Sequence, residues 1–253
     1  MSENRETNAP DQPDTPRPHS DNGAPQGQQP AFNIPGSLLI LASACIGVHI
    51  WLTQFSTPFA RDMFVFNYAL VPLRFVDLPQ ALTDFGTLLT LLSHSFIHGS
   101  WLHLIFNLVW LIAFGAPLAY RLGPVRTFLF WALTAGVAAA FHMAIYWGDP
   151  IPLIGASGAV SGFLGASARF GFRRPRQAGT GFEQPLLPPI EALRQRGVLP
   201  FILLWMGLNF ATGTGLLGGP SNIAWEAHIG GLAAGFFLIG LVDNRSYRVR
   251  QDH

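Results

Sequence analysis

The sequence predicts an all-α membrane protein, a bundle of six transmembrane helices with both termini in the cytoplasm. Three observations lead there. The 253-residue chain is 49% hydrophobic and only 11% charged, whereas a soluble domain carries about 25% charged residues. Its apolar residues gather into stretches long enough to cross ~30 Å of hydrocarbon, for which roughly 20 residues suffice. Its 15 basic residues are all Arg and fall almost entirely on alternate connections between those stretches.

In chain order, residues 1–34 hold six Pro, several acids and amides, and almost no large apolar side chain. So little apolar surface cannot offset the entropy of folding, and a disordered cytoplasmic tail is expected. The basic start, apolar centre and cleavage site of a signal peptide are missing, so the first span, 36–56, is expected to act as its own insertion signal. The connection 58–100 mixes aromatics and Pro with short apolar runs, Phe64-Val-Phe66 and Leu88-Leu-Thr-Leu-Leu92. These are too short to cross but suit an interfacial or re-entrant element. Spans two and three follow at 101–120 and 126–147. The fourth, 154–172, is the weakest by hydropathy, because Gly and Ala dominate it, yet small residues suit tight packing inside a bundle. In the connection 173–197, Pro188-Pro-Ile-Glu-Ala-Leu-Arg194 opens with Pro, which starts a short helix comfortably. Spans at 198–217 and 224–242 complete a single membrane domain, 35–244, and 245–253 form a short cytoplasmic tail. No internal repeat is visible.

With the N-terminus inside, 13 Arg lie on the cytoplasmic side and only Arg61 and Arg74 outside, the distribution that the positive-inside rule demands. Topology thus explains the basic residues, and a net charge of +1 leaves no stripe for nucleic acid. The single Cys, Cys45, can form no intrachain disulfide and is expected to pack in the first span.

The chemistry concentrates in three places. Gly155-Ala-Ser-Gly-Ala-Val-Ser-Gly162 puts Ser157 between small residues at the head of the fourth span. His228 lies in Ala227-His-Ile-Gly-Gly231 at the head of the sixth, and His103-Leu-Ile-Phe-Asn107 at the head of the second. These even-numbered spans all run from outside to inside, so residues near their starts share one depth, roughly 5–10 Å below the outer surface at 1.5 Å per residue. His103 and Asn107, four apart, share a helical face. Ser157 near a helix N-terminus sits where unpaired N–H groups favour a developing oxyanion. Gly158, Gly162 and Gly165, with Gly231 and Gly235, allow the fourth and sixth spans to approach closely. A serine hydroxyl needs a base to take its proton, and neutral His suits that near pH 7. No Asp or Glu lies deep enough for a third member, so a Ser–His dyad is expected. The bland alternative for an intramembrane Ser is a bond to a carbonyl one turn back. For His142, with no partner at a known depth, it is a packing or pore-side position, and for His94 and His98 an interfacial one. The coincidence of depth, spacing and chemistry overturns that alternative for Ser157 and His228.

At these residues the chain resembles the rhomboid intramembrane serine proteases, over roughly residues 36–243. The serine motif Gly155-Ala-Ser157-Gly158, the motif Ala227-His228-x-x-Gly231-x-x-x-Gly235, and His98 with His103-x-x-x-Asn107 all match in order and placement. The resemblance implies that Ser157 attacks the scissile carbonyl and that His228 is general base and then acid. It also implies an oxyanion hole of His103, Asn107 and the Ser157 amide, with His98 structural or water-retaining. A six-helix rhomboid bundle, a membrane-embedded first loop and lateral substrate entry near the fifth helix are the family picture. The expected partners are single-span transmembrane substrates in the lipid bilayer, without metal or cofactor, in a bacterial inner membrane. Two departures stand out. Several members place a Tyr one turn after the serine, stacked on the histidine, where this chain has Ser161, so packing or a hydroxyl must hold the histidine. The Trp-Arg pair of some first loops is absent, and Arg74 does not align with it.

Rival classes fit less well. A catalytically inactive rhomboid-like protein that binds membrane clients and hands them to quality-control machinery generally lacks the serine or the histidine, and both are present. A transporter or channel explains intramembrane polar residues but not a nucleophile, a base and oxyanion donors together. An intramembrane metalloprotease needs H-E-x-x-H, which is missing, and an aspartyl protease needs two carboxylates within spans.

Overall fold

Helix α1, Gly36–Ile50, buries Ser37, Leu41, Cys45 and His49, one residue every four, and so presents a single stripe to its neighbours. A π-helical turn, Trp51–Phe55, extends it to a 20-residue apolar rod. Thr53 and Ser56 hydroxyls donate to the carbonyls of His49 (2.8 Å) and Leu52 (2.6 Å) around that wide turn. The computed structural model describes residues 34–170, 185–216 and 223–243. Apart from Ile34, the expected tails 1–34 and 245–253 lie outside the described residues, as does residues 171–184 of the inner connection.

The connection after α1 is built from short helices. Helix α2, Pro58–Tyr68, is capped by Thr57 and buries no residue, while Phe59, Met63, Phe66 and Tyr68 are exposed. An exposed aromatic surface of this kind suits the membrane interface. Arg74 closes the end of α2 by donating to the carbonyls of Asn67 (3.4 Å) and Phe66, its guanidinium 4.4 Å from the Phe66 ring centre. Helices α3, Leu78–Thr83, and α4, Phe85–Ser93, follow, capped by Asp77 and Asp84. Hydrogen bonds from the hydroxyl and amide of Thr87 hold the Asp84 carboxyl below its ordinary range.

Helices α5, Trp101–Leu122, and α6, Pro124–Ile145, are joined by Gly123 alone, at φ 75°. The expected break at 120–126 therefore shrinks to one residue, with a left-handed φ that glycine adopts without strain and Pro124 preset for the first turn of α6.

Helix α7 is Ser157–Ala168, 12 residues, where a span over 154–172 was expected. At 1.5 Å per residue it reaches about 18 Å, short of a bilayer. Every residue from Gly158 to Ala168 is buried, so α7 meets protein on all sides and need not match the hydrocarbon thickness. After the short helix α8, Pro189–Arg194, which starts on Pro as expected, helix α9, Val198–Gly213, has 16 residues and stops before 217. Helix α10 is Trp225–Val242. Among the described residues, four helical segments are long and apolar enough to cross a membrane: Gly36–Phe55, Trp101–Leu122, Pro124–Ile145 and Trp225–Val242. The other two expected spans are the shorter α7 and α9.

Helices α7 and α10 pack backbone to backbone. A methyl group built on Gly231 would lie 1.9 Å from the Gly158 carbonyl oxygen, one on Gly235 1.8 Å from that of Gly162, and one on Gly165 2.1 Å from that of Leu232. Glycine is required at each, because no side chain can yield space that a backbone oxygen occupies. The C-terminal ends of α5 and α10 are tied by charge: Arg121 on α5 meets Asp243 just after α10 at 2.7 Å, both side chains buried. Arg169 after α7 donates to the carbonyls of Leu187 (2.7 Å) and Phe236 (2.6 Å).

Candidate active site

The segment before α7 determines where Ser157 stands. Residues 149–155 are not helical and lie against the first long connection: Leu70 and Leu153 exchange backbone hydrogen bonds (3.2 and 2.8 Å), and Leu73 N–H donates to the Asp149 carbonyl (3.0 Å). Gly155 N–H donates to the His94 carbonyl (3.0 Å), and Ala156 N–H to His98 Nε2 (3.5 Å). His98 Nδ1 faces the Phe96 carbonyl at 3.3 Å and donates to it, which leaves Nε2 as the acceptor that Ala156 meets. With these donors committed outside the helix, the helical ladder starts with Val160 N–H donating to the Ala156 carbonyl. Ser157, Gly158 and Ala159 thus carry the first-turn N–H groups that point out of the helix. His94 and His98, expected at the interface, are both buried and serve this junction. The junction also ties the first long connection to the serine without a Trp-Arg pair.

Gly155, at φ 120°, holds open the space in front of the serine. A methyl group on it would lie 2.8 Å from His103 Nε2 and 3.7 Å from Ser157 Oγ, so the imidazole edge and the hydroxyl flank the same point. Ser100 caps α5 through His103 N–H (3.2 Å). One turn on, Asn107 Nδ2 donates to the His103 carbonyl at 3.0 Å, aiming the amide nitrogen toward the His103 end of α5. That nitrogen carries a second hydrogen. The rings of His98 and His103 are 5.1 Å apart.

On the other side, a methyl group on Gly158 would lie 2.6 Å from Ala138 Cβ and 3.5 Å from the Ala227 carbonyl oxygen. The residue after Ser157 therefore touches the residue before His228. Ser157, His103 and His228 are each partly buried, and Asn107 is buried. Structure brings the expected residues Ser157, His103, Gly155 and His98 around one junction, and Gly158, Gly231 and Gly235 into one helix contact.

Four residues that bear on the site have partners that sequence reasoning missed. His142, expected to have no partner, pairs through Nδ1 with Glu226 Oε1 at 2.5 Å between α6 and α10. Glu226 is buried, so the expectation that no carboxylate lies deep enough is corrected. It stands two residues before His228, and residues two apart on a helix do not share a face; it serves His142. Asn209 on α9 places Oδ1 2.5 Å from His228 Nδ1, so an amide, not the packing or hydroxyl expected opposite Ser161, holds the ring. His49 on α1 meets the His98 carbonyl through Nδ1 at 3.0 Å, with its ring edge-on to Trp101. Each carried a signal: a polar side chain in a stretch otherwise apolar, expensive unless partnered.

The Rhomboid domain family model matches residues 86–245. The chain is 30% identical over 163 residues to the rhomboid protease GlpG of Serratia proteamaculans (strain 568), covering 63% of this chain and 50% of that protein. It is 29% identical over 146 residues to the rhomboid protease GlpG of Yersinia pestis (strain Pestoides F), covering 58% of this chain and 45% of that protein. The chain thus spans about half the length of the curated relatives it matches.

Proposed function

Because the chain belongs to the rhomboid family and is an integral membrane protein with four helices of spanning length, we propose that it is an intramembrane serine endopeptidase. Ser157 is the nucleophile and His228 the general base, later the acid that protonates the leaving amine. The observation that carries this reading is the glycine contact of α7 with α10, which sets Gly158 against the Ala227 carbonyl and so brings the head of one helix to the head of the other. In this reading the first-turn N–H groups of α7, His103 and the second Asn107 hydrogen are the donors to a tetrahedral oxyanion formed in the space beside Gly155. His98 positions the backbone of Ala156 and takes no part in the chemistry.

Six crossings are proposed, with α7 and α9 as short spans. The short α7 gives the serine its depth: a helix of about 18 Å whose inner end lies at the cytoplasmic boundary begins roughly 10 Å below the outer one. Both termini are cytoplasmic and the membrane is a bacterial inner membrane. In a Cys45→Ala background no other thiol exists, so Gly179→Cys is expected to label only from the cytoplasmic side of oriented vesicles. Labelling from the outside inverts the topology.

Substrates are single-span transmembrane proteins. A peptide bond in a regular helix is shielded by its own hydrogen bonds, and unwinding costs least in the outer few residues of a span, near water. Mass spectrometry of the products from a single-span substrate is expected to map the cut there, next to small residues. A substrate recovered uncut by a folded enzyme contradicts the proposal.

His103 and Asn107 contact the oxyanion only as it develops, so their loss falls on kcat more than on KM. Either residue replaced by Ala is expected to lower kcat on the order of 10–1000-fold. An unchanged kcat in Asn107→Ala removes that residue from the hole without touching the Ser–His pair.

A further inference from the structure

We infer that Asn209 is a positioning residue that fixes the tautomer and the rotation of His228, and with them the direction in which the base offers its lone pair. The inference rests on the proposed Ser157–His228 pair. Helix α9 is apolar along its length, and Asn209 is its one carboxamide. An amide facing hydrocarbon is costly unless both its halves are bonded. Asn209 Nδ2 donates to the Trp205 carbonyl one turn earlier at 2.7 Å. A carbonyl only accepts, so the amide nitrogen belongs on that side and Oδ1 on the side of His228.

Oδ1 stands 2.5 Å from His228 Nδ1. Being an acceptor, it requires a hydrogen on Nδ1. A neutral imidazole protonated there carries its lone pair on Nε2, the nitrogen farther from the α10 backbone and the one free to take a serine proton. The register that brings the two together is set one turn further on. A methyl group on Gly213 would lie 2.8 Å from the Ile223 carbonyl oxygen and 2.5 Å from Trp225 Cδ1, and the Phe210 ring sits edge-on to Trp225 with centres 5.0 Å apart. The end of α9 is thereby locked to the start of α10, with Asn209 opposite the first turn that carries His228. Glu226, the nearest carboxylate along α10, is engaged by His142. Asn209 therefore orients the base without adding a charge, at a site where Ser161 supplies no ring to stack on it.

The test compares Asn209→Leu, of similar size but unable to accept, with Asn209→Asp, which keeps an oxygen facing Nδ1, on a labelled single-span peptide in detergent. Ser157→Ala is run beside them. Asn209→Leu is expected to lower kcat about 10–1000-fold, less than the ~10⁴-fold loss of a buried carboxylate that orients a catalytic histidine, with KM within about twofold. Asn209→Asp is expected to recover kcat to within about tenfold of wild type. Wild-type kcat in Asn209→Leu, or equal losses in both variants, overturns the inference while an inactive Ser157→Ala leaves the protease reading standing. Turnover by Ser157→Ala overturns that reading itself. If Asn209→Leu fails to fold, ¹⁵N shifts of His228 in the wild-type chain decide: hydrogen on Nδ1 supports the assignment and hydrogen on Nε2 overturns it.

Discussion

Ser157→Ala and His228→Ala are each expected to abolish cleavage of a single-span substrate, lowering kcat by roughly 10⁴-fold or more while thermal unfolding in detergent stays close to wild type. The size follows from the chemistry. A serine hydroxyl at neutral pH is a poor nucleophile, and the base that activates it also protonates the leaving group, so removing either partner removes both steps. The double variant should therefore be no slower than the singles, because nucleophile and base act as one unit. Turnover measured on purified protein checks this. Losses that multiply would show that the two residues act independently. The fold should survive, since Ser157 and His228 are only partly buried, while the contacts that hold their helices together lie one residue or more away.

Gly235→Ala is expected to have the largest effect on stability. The added methyl group would lie 1.8 Å from the Gly162 carbonyl oxygen and 2.5 Å from its carbon, both backbone atoms of a fully buried helix. No rotamer change relieves that overlap, so α7 and α10 must move apart, at a cost of at least the 1–3 kcal/mol typical of overpacking. Separation also draws His228 away from Ser157, so activity should fall together with the unfolding temperature. Gly136→Ala supplies the contrast. It lies within α6 with nothing within 4 Å of the position its methyl group would take, and alanine favours helix more than glycine does. A Gly235→Ala protein as stable as wild type would mean that α7 and α10 do not pack through their backbones.

The sequence made legible those parts of the fold that follow from length and periodicity. Helices α1, α5, α6 and α10 are long apolar runs, and their ends fall within a few residues of the expected positions because Pro124, Ser100 and the polar flanks mark them. Helices α7 and α9 came out shorter than expected. Hydropathy cannot distinguish an apolar residue in a helix from one in a non-helical segment enclosed by protein, and residues 154–156 are the latter. The glycines of α7 and α10 were readable as a close contact, since small residues at a spacing of three or four have few other uses in an apolar helix. What each histidine bonds to was not readable. Those partners depend on the rotation of α6, α9 and α10 about their axes, which is how Glu226 came to be overlooked beside His142, and Asn209 beside His228. A single intramembrane amide or carboxylate carries the signal that something must satisfy it; only packing says what.

The proposal that Ser157 is an activated nucleophile is tested most directly without any substrate, by a fluorophosphonate probe on detergent-solubilised protein. Attack by an activated serine leaves a covalent adduct that mass spectrometry assigns to one peptide. Wild-type protein is expected to carry one adduct, on Ser157, with labelling lost in Ser157→Ala and strongly reduced in His228→Ala. A folded wild-type protein that takes no label, or a Ser157→Ala protein labelled as fast as wild type, would contradict it.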